Sequence, residues 1–170
     1  VRADVMGLDQ RRAPTPREMD EMKACVDEAM ACGAWGLSTG RDYPPSAYAD
    51  PAEIIELMRH AGRQGGMYFT HWKRTGVRVG TPEKPNKLAG IVEALEIGMA
   101  AEVKTQVSHI STGFDIYPPN EDMDLYAAKV TLDIFDGYLQ KGAQAAFDVI
   151  PGRSGGIAMI PFLASKLMPW

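Results

Sequence analysis

Two of the chain's three histidines sit in nearly the same local sequence. His71 closes "MYFTH" and His109 closes "VKTQVSH", each an apolar run ending in a small hydroxyl residue and then histidine, with a loop directly after. Imidazole carries protons near neutral pH and is the commonest side-chain ligand for protein-bound metals. If the two runs are neighbouring parallel strands, about 4.8 Å apart, their terminal rings can share one metal ion at the ~2.0–2.1 Å of a zinc–nitrogen bond. The competing reading is structural: each ring bonds a nearby carbonyl and helps close the end of the sheet. Two histidines in matching settings favour the shared ligand. His60, in "LMRHAGRQ", falls in the last turn of a helix, where the helix dipole favours a cation, and is read as structural.

The remaining candidates are polar residues near the ends of other apolar runs. Ser38 in "AWGLSTG" and Asp148 in "AQAAFDV" would either orient a ligand or anchor a loop. Tyr43 lies on the Pro-rich "RDYPPSAYAD" segment, where its hydroxyl would contact substrate or pin the loop. The stretch over 73–87, "KRTGVRVGTPEKPNK", is a long basic loop, suited to an anionic group but equally to plain solvation.

These residues need a scaffold that brings strand ends together, and the chain has the rhythm of one. Thr15-Pro16-Arg17-Glu18 is a capping box with proline at the first helical position. Met19, Met22, Val26 and Met30 then mark one apolar helix face up to a stop at Gly33. Asp50-Pro51 opens a second helix with Ile54, Ile55, Met58 and Ala61 as its face, stopped at Gly65-Gly66. Leu88, Ile91, Val92, Leu95 and Met99 mark a third helix, and Leu125, Ala128, Leu132, Phe135 and Leu139 a fourth. Each is followed by a short strand, so four helix-then-strand units are expected, with strands near residues 37, 69, 106 and 146.

Such alternation predicts an α/β fold with a parallel sheet. An open doubly wound sheet and a partial (β/α)8 barrel compete. No glycine fingerprint of the nucleotide-binding kind follows any strand, and the candidate polar residues fall at the strand ends where barrel enzymes assemble their sites. The barrel reading, about four βα units forming one domain over residues 1–170, is preferred. A net charge of -4 with scattered lysines and arginines argues against a nucleic-acid partner. No apolar run approaches the ~20 residues of a membrane helix, so a soluble, cytoplasmic protein is expected. Cys25 and Cys32, the only cysteines, have neither redox nor zinc-ribbon spacing and are read as buried small hydrophobes.

With those residues in view, the chain resembles the D-aminoacylases, the N-acyl-D-amino-acid deacylases of the amidohydrolase superfamily. The resemblance is carried by "GAWGLSTGRDYPPSAYADPAEIIEL", "GGMYFTHWK", "QVSHIS" and "FDVIPGRSGG" followed by "LMPW", in that order. It implies a zinc-dependent barrel that hydrolyses the amide of N-acyl-D-amino acids, with His71 and His109 as zinc ligands on the fifth and sixth strands. Tyr43, Lys73 and Ser111 would contact substrate. Lys73 stands where the family commonly has arginine, and Ser111 where it commonly has lysine, which alters side-chain and carboxylate preference more than metal binding. The family's His-x-His pair and ligand cysteine would precede Val1, and its general-base aspartate would follow Trp170. Both ends therefore look cut, and no catalytic base is expected within the chain, which should be inactive alone. A cyclic amide hydrolase of the dihydroorotase or hydantoinase kind is the neighbouring alternative. A non-catalytic half-barrel that self-associates, or docks with its missing half, is the other.

Overall fold

A computed structural model of the chain describes residues 1–73, 87–112, 118 and 120–150. Most of the 73–87 loop, and the segment from residue 151 to Trp170, lie outside them. Helix α2 (Pro16–Ala31) begins at the Thr15 capping box, where Thr15 accepts from the Glu18 amide and Glu18 reaches back to the Thr15 amide. It leads to strand β1 (Gly36–Gly40). Helix α3 (Pro51–Gly62), capped by Asp50, leads to β2 (Met67–His71). Helix α4 (Lys87–Ala101) leads to β3 (Thr105–Val107), and α5 (Glu121–Gln140), capped by Asn120, to β4 (Ala145–Phe147). A five-residue helix, α1 (Arg2–Met6), precedes them and was not expected from the sequence.

The four strands form one parallel sheet in the order β1-β2-β3-β4. A doubly wound nucleotide fold reverses its strand order at a switch point; this sheet runs in sequence order throughout, as an arc of a barrel does. Register is continuous: Thr39 pairs with Thr70, Thr70 with Val107, and Val107 with Phe147. Tyr68, Thr70, Thr105 and Val107 are buried against the helices. Burial pushes the Tyr68 phenol above its ordinary range, which keeps it neutral, and it shares a 2.9 Å hydrogen bond with Thr39. The alternate residues, including Ser38, Phe69, His71 and Gln106, occupy the other face.

Two apolar clusters join helices to sheet. Met22, Val26, Ile54, Met58, Tyr68 and Ile97 form one, between α2, α3, α4 and the first strands. Trp72, Ile91, Leu95, Val107 and Phe135 form the other, between α4, α5 and the later strands.

Three expectations need correction. The buried face of α5 is Ala127, Thr131 and Phe135, whereas Leu125, Leu132 and Leu139 are exposed. The small side chains of Ala127 and Thr131 turn inward, and the Thr131 hydroxyl donates to the Ala127 carbonyl at 2.8 Å, which removes the penalty of burying it. Cys32 is exposed and Cys25 only half-buried, because both lie away from the Met22 and Val26 stripe of α2. Finally, β3 ends at Val107, two residues before His109.

Candidate metal site at the strand ends

The site is built where β2 and β3 end. His71 is the last residue of β2 and pairs with Gly40, the last of β1. His109 lies in the turn after β3 with φ 42°, a left-handed conformation that non-glycine residues seldom adopt. Asp148, just past β4, stabilises that turn. Its carboxylate accepts from the His109 amide and, at 3.2 Å, from the Gln106 side-chain amide, while its carbonyl accepts from the Ile110 amide at 2.8 Å. The turn brings the rings together: His71 Nδ1 is 2.9 Å from His109 Nε2, with ring centroids 4.5 Å apart.

On the β1 side of His71, the loop "RDYPP" supplies two more groups. Asp42 is fully buried, and its Oδ2 lies 3.2 Å from His71 Nε2. The Tyr43 ring is tilted against His71 at 5.1 Å. Arg41 fastens this loop. Its amide donates to the His71 carbonyl at 2.8 Å, its Nε donates to Glu93 of α4 at 2.8 Å, and its Nη1 donates to the carbonyls of Ala49, at 2.8 Å, and Ser46. Gly40 leaves room for the arrangement, since a Cβ there would collide with the Tyr43 ring.

The structure therefore brings together His71, His109 and Tyr43, and places Asp148 behind the His109 turn. Ser38 sits mid-strand and exposed, on the sheet face shared with Phe69. Lys73 is half-buried and Ser111 exposed, each close to undescribed residues. His60 is apart from the site, with Nε2 2.8 Å from Asp27. Asp42 is the residue that sequence reasoning overlooked. Its signal was present in its position two residues past the end of β1, one strand over from His71, but an aspartate before Tyr-Pro-Pro reads first as a turn residue.

The donor chemistry fits a zinc-like ion in part. Two nitrogens sharing a tetrahedral ion at ~2.0–2.1 Å stand roughly 3.3 Å apart, so the observed 2.9 Å pair needs to open only a few tenths of an ångström. Among the described residues, no three His, Cys, Asp or Glu side chains are grouped to hold a metal. The His71 and His109 rings are thus two nitrogens within reach of one ion, short of the three protein ligands a catalytic zinc keeps.

A parallel sheet in sequence order, with two histidines converging at the C-terminal ends of its strands, is the arrangement of an arc of a (β/α)8 barrel. In comparisons with known proteins the chain has homologues named D-aminoacylase and N-acyl-D-aspartate and N-acyl-D-glutamate deacylase, of whose length it spans less than a third. It is 39% identical over 109 residues, 64% of this chain, to D-aminoacylase of Alcaligenes xylosoxydans xylosoxydans, and it spans 21% of that relative's length. Two solved structures of D-aminoacylase superpose with TM-score 0.69 at 31% identity, covering 89% of this chain and 28% of that one. One defines a subset of amidohydrolases, and the other addresses a binuclear metal centre. N-acyl-D-glutamate deacylase of Bordetella bronchiseptica, solved with zinc and a phosphonate mimic of the tetrahedral intermediate, superposes with TM-score 0.68 at 27% identity, over 85% of this chain and 27% of that one. No family model matches the chain.

Proposed function

We propose that residues 1–170 form one partial barrel domain of a zinc-dependent amidohydrolase that cleaves the amide of N-acyl-D-amino acids. The observation that carries the reading is the convergence of His71 Nδ1 and His109 Nε2 at the ends of adjacent parallel strands. His71 and His109 would hold the metal, which when bound polarises an amide carbonyl and acidifies water. The chain's own contribution is positional. The turn pinned by Asp148 presents His109, β2 presents His71, and Arg41 holds the Asp42-Tyr43 segment against the pair. Tyr43 flanks the site as a substrate contact, and Lys73 and Ser111 extend from the same strand ends toward the carboxylate and side chain of the substrate. Ser38 lines the sheet face below. The relatives are named D-aminoacylase and N-acyl-D-glutamate deacylase, which supports that substrate class over the cyclic amides of dihydroorotase and hydantoinase. A panel of N-acyl-D-amino acids, hydantoins and dihydroorotate, assayed with a complete barrel containing this stretch, separates the two. Turnover of only the cyclic amides would overturn the reading.

The second reading, self-association or docking with further barrel strands, has its own observation. Among the described residues β1 and β4 each pair on one side only, and Leu125 (72%), Leu132 and Leu139 of α5 and Val149 and Ile150 after β4 are exposed. Paired or covered edges are the usual state of such sheets. Light scattering of the isolated chain should show dimers or larger species; a monomer with cooperative unfolding would contradict this. No described helix is long and apolar enough to cross a membrane. Action in the cytoplasm on a small-molecule substrate, with no nucleic-acid partner, completes the proposal.

A further inference from the structure

We propose that Asp42 is a positioning residue that holds the ring proton of His71 on Nε2 and so turns the Nδ1 lone pair toward His109. The inference rests on the metal reading above and adds to it a residue with its own test. A neutral imidazole has one N–H donor and one acceptor nitrogen, and its neighbours decide which is which. Asp42 is 0% exposed, and a buried carboxylate is tolerated only where donors reach it. An ionised carboxylate accepts and never donates, so with Asp42 ionised its 3.2 Å contact with His71 Nε2 is made only by a ring that carries its proton on Nε2. The other nitrogen, Nδ1, then carries the lone pair, and it is the atom that faces His109 Nε2 at 2.9 Å.

The fold makes this arrangement directional. β2 lies between β1 and β3, so Asp42 grips His71 from the β1 side while His109 approaches from the β3 side. Arg41, tied to Glu93, Ala49 and Ser46, fixes the backbone beside Asp42, and the Tyr43 ring limits the tilt of the imidazole. Without metal, His109 Nε2–H donates to His71 Nδ1. Held in that tautomer, His71 would offer Nδ1 to a metal without moving its own proton, whereas His109 would have to shift its proton from Nε2 to Nδ1. A carboxylate on the far nitrogen also makes the imidazole a stronger donor to a metal, and losing such a partner typically costs about 10–100-fold in metal affinity.

The test uses the full chain with 15N-labelled histidine, mildly alkaline so that imidazoles of ordinary pKa (~6.5) are neutral. The wild-type His71 ring should show a protonated, pyrrole-type Nε2 and an unprotonated, pyridine-type Nδ1. Asp42→Asn keeps an acceptor and should keep this signature, while Asp42→Ala should give a mixture of tautomers. Zinc titrated into the same samples should bind about 10–100-fold more weakly to the alanine variant than to wild type, with the asparagine variant between them. A wild-type His71 carrying its proton on Nδ1 overturns the proposal whatever zinc does. So does an Asp42→Ala variant with unchanged tautomer and unchanged affinity. If Asp42→Ala does not fold, the wild-type and Asp42→Asn spectra still decide. Zinc binding that is indifferent to His71→Ala and His109→Ala would instead refute the metal reading and leave the tautomer result standing.

Discussion

Replacing Gly90 by alanine should destabilise the protein even though it improves the helix. Gly90 lies in the first turn of α4 and faces the chain leaving β2 directly after His71. A Cβ at this position would stand 2.7 Å from the carbonyl carbon of Lys73, closer still to its oxygen, and 3.3 Å from Cε3 of fully buried Trp72. Carbon contacts of this kind normally begin near 3.4 Å, so clearing the carbonyl carbon alone needs 0.7 Å, and the nearer oxygen forces the Lys73 carbonyl and α4 further apart than that. The obstacle is backbone, which cannot swing aside as a side-chain tip can, and the separation would loosen the contacts of Ile91 and Leu95 with Trp72. Overpacking of this sort costs about 1–3 kcal/mol or more, while glycine to alanine in a helix gains up to about 1 kcal/mol. The net expectation is a loss of about 1–2 kcal/mol. Gly137 in α5 is the matched control, since a Cβ there meets nothing within 4 Å. Gly137→Ala should stabilise by about 0.5–1 kcal/mol. Urea unfolding of the two variants beside wild type measures both signs. A Gly90→Ala variant as stable as Gly137→Ala would show that α4 does not sit against the β2 exit as described.

Three further predictions concern charge. Glu18, held by Arg12 and the Thr15 amide at the start of α2, has its carboxyl lowered from the usual 4.5 to about 2. A depressed carboxylate contributes stability above its unfolded pKa and loses it as pH falls through the folded value, so stability should decline between about pH 4.5 and 2 with a slope that Glu18→Gln reduces in acid-unfolding curves. Arg2 (7% exposed) and Glu53 (4%) form a buried pair at 2.9 Å. Arg2→Ala should cost about 3–5 kcal/mol by stranding the carboxylate, and Arg2→Ala with Glu53→Gln should recover part of that in denaturant unfolding; a double variant no better than the single would contradict the pairing. Burial pushes the Glu53 carboxyl up. Its share of stability is therefore present at low pH and lost as pH rises through the folded value, the opposite sign to Glu18, and Glu53→Gln should remove that loss.

The helix and strand order was legible because its signals are local. Thr15, Asp50 and the apolar steps of α2, α3 and α4 act within a few residues, and the structure uses them where they occur. What escaped depends on distant partners. α1 is five residues long and is held by Arg2 reaching Glu53, 51 positions away. The face of α5 was misread because hydrophobicity points to Leu125, Leu132 and Leu139, while close packing of helices selects the small Ala127 and Thr131. At the site, His71 and His109 were conspicuous through their repeated setting. Asp42 was not, because only the pairing of Gly40 with His71 brings the residue two past β1 against the ring. His109 also differs from the expectation in detail: it reaches His71 from a left-handed turn held by Asp148 and not from the strand itself.

Isothermal titration of zinc into the full chain and its three single-histidine variants at about pH 7.5, where unperturbed imidazoles are neutral, tests the central claim most directly. Two donors without a third described ligand should give weak binding. That binding should be lost in both His71→Ala and His109→Ala, and retained in His60→Ala, whose ring faces Asp27 on the helix layer. Undiminished binding in both of the first two variants, or its loss only with His60, would contradict the assignment of the metal to the ends of β2 and β3.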